Sequence, residues 1–165
     1  MSSLSSIIEG AWERRAELGP GKVEFARKTQ YFYGATDSVN VCQFVFGPAW
    51  QLYNPQQLCD LINSTTGWDV TVTELLEVGE RRLNLLRAFN AREGIDRQQD
   101  ILPEKMFKKA LRGGRSEGLQ VDKEEWDAAL DEYYRQNDWD VETGTPTRHK
   151  LEQLDLAWVA DGLRL

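Results

Sequence analysis

The chain has 165 residues, a formal charge of -7 and a sequence pI near 4.8. That length suits one domain with its own core, and 41% hydrophobic with 28% charged residues is ordinary for a globular protein. Acidity excludes an electrostatic nucleic-acid binder, because phosphate contacts need clustered Lys and Arg. No apolar run approaches the roughly 18 residues of a membrane span, and the first fifteen residues lack the basic and apolar regions of a secretory signal. The two cysteines, Cys42 and Cys59, make no disulfide framework and favour a reducing compartment, the cytoplasm.

In chain order, Leu4, Ile7, Ile8, Ala11 and Trp12 fall on one helical face over residues 4 to 17. Leu18 to Gly21 breaks that pattern, and residues 1–20 read as an N-terminal helix and linker ahead of a helical domain over 21–165. Val23 to Thr36 is predicted as a helix carrying Phe25, Phe32 and Tyr33. Ser38 to Phe46 is short and apolar, a buried strand or a helical turn. Asn54-Pro55 starts a helix with Leu58, Leu61 and Ile62 inward and Gly67 at its end.

Thr71 to Glu74 has the pattern of a capping box. It opens a helix to about Glu93, with Leu75, Leu76, Leu83, Leu86 and Ala88 or Phe89 turned inward and Gly94 as a left-handed cap. A short helix with Met106 and Phe107 begins at Leu102-Pro103-Glu104. Residues 111 to 120 form a glycine-rich loop. Asp122 caps a helix bearing Trp126, Ala129, Leu130, Tyr133 and Tyr134, and Thr145 to Thr147 introduces a last helix with Leu151, Leu154 and Trp158. The expected fold is all-α, a multihelical bundle of about six to seven helices with short links.

Motif chemistry is sparse. There is no G-x-G-x-x-G and no P-loop. The single His149 sits in a polar stretch and reads as a surface residue. Taken by composition, Cys42 and Cys59 both read as buried structural thiols and Asp37 as a cap or turn residue. Asn90, Arg92, Glu93 and Asp96, where the long helix should end, read as a structural network of charge pairs rather than a binding site.

Read together, several stretches resemble one family. Gly79-Glu80-Arg81 and then Asn84-Leu85-Leu86-Arg87-Ala88-Phe89-Asn90-Ala91-Arg92-Glu93-Gly94 resemble a G-E-R followed by N-x-x-R-x-F-N-x-R-E-G. Arg97, Asp100, Leu102 and Pro103 continue as R-x-x-D-x-L-P, and Leu130 to Tyr134, Trp139-Asp140, Gly144, Pro146, Leu151 and Leu154 extend the likeness to about residue 156. These patterns are those of the C-terminal part of the tungsten-containing aldehyde ferredoxin oxidoreductases.

The resemblance implies oxidation of aldehydes to carboxylates with electrons passed to ferredoxin or a similar acceptor. It implies a tungsten-bis-pterin centre, sometimes with molybdenum, and a 4Fe–4S cluster. The family's D-x-x-G-L-C segment, whose Asp holds a pterin and whose Cys ligates iron, is matched by Asp37-Ser38-Val39-Asn40-Val41-Cys42. By that likeness Asp37, Val41 and Cys42 are the cofactor-binding residues and Cys42 the metal ligand, with Asn40 in place of Gly and Val41 in place of Leu. The family's upstream C-x-x-C-x-x-x-C is absent from this sequence, so N-terminal domains of the same enzyme are the expected partners. The chain alone is expected to be inactive and to hold neither tungsten nor an intact cluster. Its Asp37 to Phe46 region is expected to lie on an apolar surface those domains cover. Two other readings remain at this point: a non-enzymatic helical interaction module, and part of an aryl-CoA reductase subunit.

Overall fold

A computed structural model describes residues 18–47 and 52–165. Among them there are eight α-helices and no strand: α1 Pro20–Ser38, α2 Gln43–Phe46, α3 Pro55–Thr66, α4 Val72–Arg92, α5 Lys105–Lys108, α6 Lys123–Gln136, α7 Arg148–Gln153 and α8 Ala157–Leu163. The all-α expectation holds. None of these helices is long and apolar enough to cross a membrane. The helix expected over residues 4 to 17 lies outside the described residues.

Local chemistry sets the boundaries. Pro20 stands in the first turn of α1, where its missing N–H leaves no partner unsatisfied. Asn54 and Thr71 each accept from the backbone N–H three residues on, and Gln57 and Glu74 reach back, so both capping boxes are complete. Gly94 takes the left-handed conformation expected of it, and Gly67, which ends α3 as expected, takes it too. The Ser38 to Phe46 stretch is no strand: α1 ends at Ser38, and after a turn the chain makes the four-residue α2.

Helices α1 and α4 form the axis of the fold, and they cross with their backbones in contact. A Cβ on Gly79 would lie 1.7 Å from the Tyr31 carbonyl oxygen, and one on Gly34 would lie 3.0 Å from that of Gly79. Beside this crossing, Phe32, Ala35, Leu58, Cys59 and Leu75 form one apolar cluster, joining α1, α3 and the start of α4. A second cluster, Ala88 with Leu151, Leu154, Leu156, Val159 and Ala160, docks α7 and α8 on the far half of α4.

Two inward assignments prove wrong: Leu61 and Leu86 are 48% and 49% exposed, whereas of the alternatives Ala88 and Phe89 it is Ala88 that is buried. Periodicity finds an apolar stripe but not how wide a strip of it the neighbours cover. The expected last helix is two helices, α7 and α8, split at Leu154–Leu156, where Asp155 adopts a φ of +58°. Trp158 therefore lies on α8 and is exposed.

Candidate cofactor-binding site

The end of α1 explains the D-x-x-N-V-C stretch. Asn40 donates its N–H to the Asp37 carbonyl at 3.2 Å, and Val41 donates to the Thr36 carbonyl at 3.1 Å. Asn40 itself has a φ of +57°. These are the paired bonds and the left-handed residue of a Schellman termination. Its usual companion, an apolar residue packed back on the helix, is Val41, which lies against the Phe32–Leu75 cluster. The Gly of the family's pattern thus occupies the position that needs positive φ, a conformation Asn tolerates better than most residues. The Leu position is the apolar plug.

Val41 packs its side chain against the Phe32–Leu75 cluster and is only partly buried. Asp37 and Cys42 are exposed. Cys42 caps α2, and its carbonyl accepts from Val45 and Phe46, each at 3.0 Å. The thiol is free. Phe46, packed on the same cluster as Val41, stacks on Tyr53 with ring centroids 5.3 Å apart. Anchors on both sides therefore hold Cys42, Gln43 and Phe44 outward. The composition-based reading of Cys42 as buried is corrected; Cys59 is buried as expected, and burial pushes its thiol up from the ordinary range.

Asp37 is held in place. Its Oδ1 accepts from Gln43 Nε2 at 2.5 Å, and its Oδ2 pairs with Arg82 Nη1 at 3.0 Å. Neither partner was singled out in the sequence. Arg82 lies in the Gly79–Gly94 stretch, but nothing in its spacing points to a carboxylate 45 residues earlier. Among the described residues no three His, Cys, Asp or Glu side chains converge to hold a metal ion.

The remaining motif residues meet elsewhere. Arg87, 7% exposed, pairs with Asp100 at 2.8 Å, donates through Nε to the Gly144 carbonyl at 2.7 Å, and has its guanidinium carbon 5.3 Å from the Trp139 ring centre. Tyr134 donates its hydroxyl to Asp100; burial, then that carboxylate, push its phenol well above the ordinary range. Trp139 donates to the buried Asn84 side chain at 2.7 Å. Arg97 ties Asp131 at 2.6 Å and the Val141 carbonyl at 2.9 Å.

A structural network is present, as the charge pattern suggested, but its centre is Arg87. Of the four residues named for it, Arg92 and Glu93 form an exposed pair and Asp96 caps a turn. His149 is at the surface, bonded to Asp138 at 2.7 Å.

Comparison with known proteins places this arrangement. The family described as aldehyde ferredoxin oxidoreductase, domains 2 and 3, matches residues 4–156. The tungsten-containing aldehyde ferredoxin oxidoreductase of Pyrococcus furiosus is 34% identical over 143 residues, which are 86% of this chain and 22% of that protein. The corresponding protein of Thermococcus kodakarensis is 29% identical over 143 residues, again 86% of this chain and 22% of the relative. The chain thus spans about a fifth of the length of these relatives. Among solved structures, the active site complex BamBC of benzoyl coenzyme A reductase with 1,5-dienoyl-CoA aligns with a TM-score of 0.68 at 21% identity, over 86% of this chain and 20% of that one. This last likeness is one of fold. With its family match running through α1 to α7, the chain belongs to the aldehyde ferredoxin oxidoreductase family, in the region of domains 2 and 3.

Proposed function

We propose that the chain is the C-terminal helical part of a tungstopterin and iron–sulfur aldehyde oxidoreductase, in which Cys42 ligates a 4Fe–4S cluster and Asp37 contacts a pterin. The observation that carries this reading is the outward thiol of Cys42, free and exposed on a turn pinned by Val41 and Phe46. A cysteine thiolate is the donor that iron–sulfur clusters take. Among the described residues no three His, Cys, Asp or Glu side chains gather to hold a metal, and in this reading the other three ligands come from upstream domains of the same enzyme. Asp37 fits its part as well: a carboxylate has about four lone-pair sites, and Arg82 and Gln43 use one on each oxygen.

When bound, the tungsten centre and cluster supply the two-electron oxidation of an aldehyde, with water, to a carboxylic acid and the passage of electrons to ferredoxin or a similar acceptor. This chain's part is to orient and hold. The Schellman turn fixes where the Cys42 sulfur stands, and Arg82 holds the Asp37 carboxylate directed as a hydrogen-bond acceptor. Two free thiols suit the reducing cytoplasm as its location. An aryl-CoA reductase part and a non-enzymatic module have no side-chain observation in their favour.

The test is Cys42→Ser in the complete enzyme, with Cys59→Ser as control, read by iron content and by the electron paramagnetic resonance of the reduced cluster. The Cys42 variant is expected to lose the cluster signal while the Cys59 variant keeps it. Full iron and an unchanged signal in Cys42→Ser would refute the assignment. The 165-residue chain alone is expected to bind no stoichiometric iron or tungsten, and finding either would count equally against it.

A further inference from the structure

Asp37 is held from two directions at the end of α1. Arg82, on α4, pairs with its Oδ2 at 3.0 Å, and Gln43, the first residue of α2, donates from Nε2 to its Oδ1 at 2.5 Å. Gln43 follows Cys42 in sequence, so its bond to Asp37 closes, side chain to side chain, the turn that carries the sulfur. Val41 and Phe46 anchor the same turn against the Phe32–Leu75 cluster.

Stability does not account for the two contacts on Asp37. The Arg82 and Asp37 side chains are 41% and 39% exposed. An exposed ion pair adds little to folding, because water and salt screen it while two side chains lose their freedom. What the contacts fix is direction. A carboxylate on an unrestrained side chain turns about its torsions, whereas a cation at one oxygen and an amide at the other hold it in one orientation. A carboxylate has about four lone-pair sites, so a single contact on each oxygen leaves both able to accept again. Such an edge suits a group with two neighbouring N–H donors, as the aminopyrimidinone edge of a pterin has.

We propose, building on the roles given above to Asp37 and Cys42, that Arg82 and Gln43 are positioning residues for the pterin. Arg82 aims the Asp37 carboxylate from α4, and Gln43 ties that carboxylate to the turn bearing the Cys42 sulfur. Both act through Asp37. Partners that orient a ligand in this way govern how tightly the bound group is kept, by about 10- to 100-fold where they hold a metal's ligands.

The test uses the complete enzyme. Tungsten, pterin and iron are measured against time after gel filtration, with the melting temperature alongside. Arg82→Gln and Gln43→Leu are expected to lose the tungsten-pterin group about tenfold faster than the unaltered enzyme. Their iron content and melting temperature should not change, because Val41 and Phe46 still anchor the turn. Arg82→Lys and Gln43→Lys keep an N–H donor for Asp37 and should restore most of the retention. Asp37→Ala separates two kinds of failure. If it loses the group while Arg82→Gln or Gln43→Leu keeps it at the unaltered rate, the positioning role of that residue is overturned and the role of Asp37 stands. If Asp37→Ala also keeps the group, the reading of Asp37 falls and the positioning role falls with it. Equal loss of iron and tungsten-pterin with a lowered melting temperature, and no recovery in the lysine variants, would overturn the proposal and leave both residues as supports of the fold.

Discussion

The two halves of α4 are held by different physics. Its first half, around Leu75 and Gly79, is fixed by apolar contact and by backbone touching backbone at the α1 crossing. Its second half has an apolar cluster on one side, but Asn84 and Arg87 are buried polar groups bonded to Asp100 and the 139–146 turn. Burial of apolar surface is tolerant of direction and intolerant of volume. Buried polar bonding is the reverse: it demands that each partner be present and aligned. The candidate cofactor residues sit beside the first half, so their placement depends on shape. Most of the other family-pattern residues serve the second half.

Substitutions can break this contrast. The largest effect is expected at the crossing. Gly79→Val puts a side chain where even a Cβ would stand 1.7 Å from a backbone oxygen. The expected cost exceeds about 5 kcal/mol, outside the ordinary range for a point change, and circular dichroism should show an unfolded chain. Next comes Arg87→Ala, which strands Asp100 and the Gly144 carbonyl. Breaking such a buried pair costs about 3–5 kcal/mol, measurable by urea unfolding. Arg87→Lys should recover little of it, because an ammonium cannot present the Nε bond and the paired contact together.

Asn40 gives a smaller, two-signed result on the apolar side. Asn40→Val forces a β-branched residue to a φ of +57° and should cost about 1–2 kcal/mol. Asn40→Gly should be neutral or slightly stabilising, since glycine reaches positive φ without a Cβ penalty.

The smallest effect is a pH dependence at the polar end. Asp140 accepts from the Thr143 hydroxyl at 2.8 Å and its N–H at 2.7 Å, and these bonds hold its carboxyl below its ordinary value of 3.8. A depressed value means the folded state favours the ionised form. The contribution is therefore present above pH 3.8 and lost as pH falls through the folded value. Unfolding followed from pH 6 to about pH 2 should show a loss that Asp140→Asn lessens.

What could be read in the sequence was local. Asn54, Thr71 and Gly94 announce their helix ends through bonds spanning three or four residues, and all three behave as read. What escaped was set at long range. Arg87 sits among seven other charged residues between positions 81 and 100, and its distinction comes from partners up to 57 positions away. The split of the last helix at Asp155 carried no Gly or Pro to mark it. Cys42 shows both sides of the matter: composition alone put it inside, because Val39, Val41 and Phe44 surround it in sequence. The turn that reverses this depends on Asn40 taking a conformation composition does not reveal.

The contact between Gly34 and Gly79 has a consequence for how this chain can vary over evolutionary time. Three residues beyond it on one helix is Asp37, and three beyond it on the other is Arg82, and these two meet at 3.0 Å. With no side chains interposed at the crossing, the separation of the two rods is a fixed gauge rather than an adjustable spacer. Drift elsewhere in either rod can be absorbed by repacking. A methyl group added at the crossing would instead shift the Asp37 carboxylate and the neighbouring Cys42 sulfur together, without altering either residue.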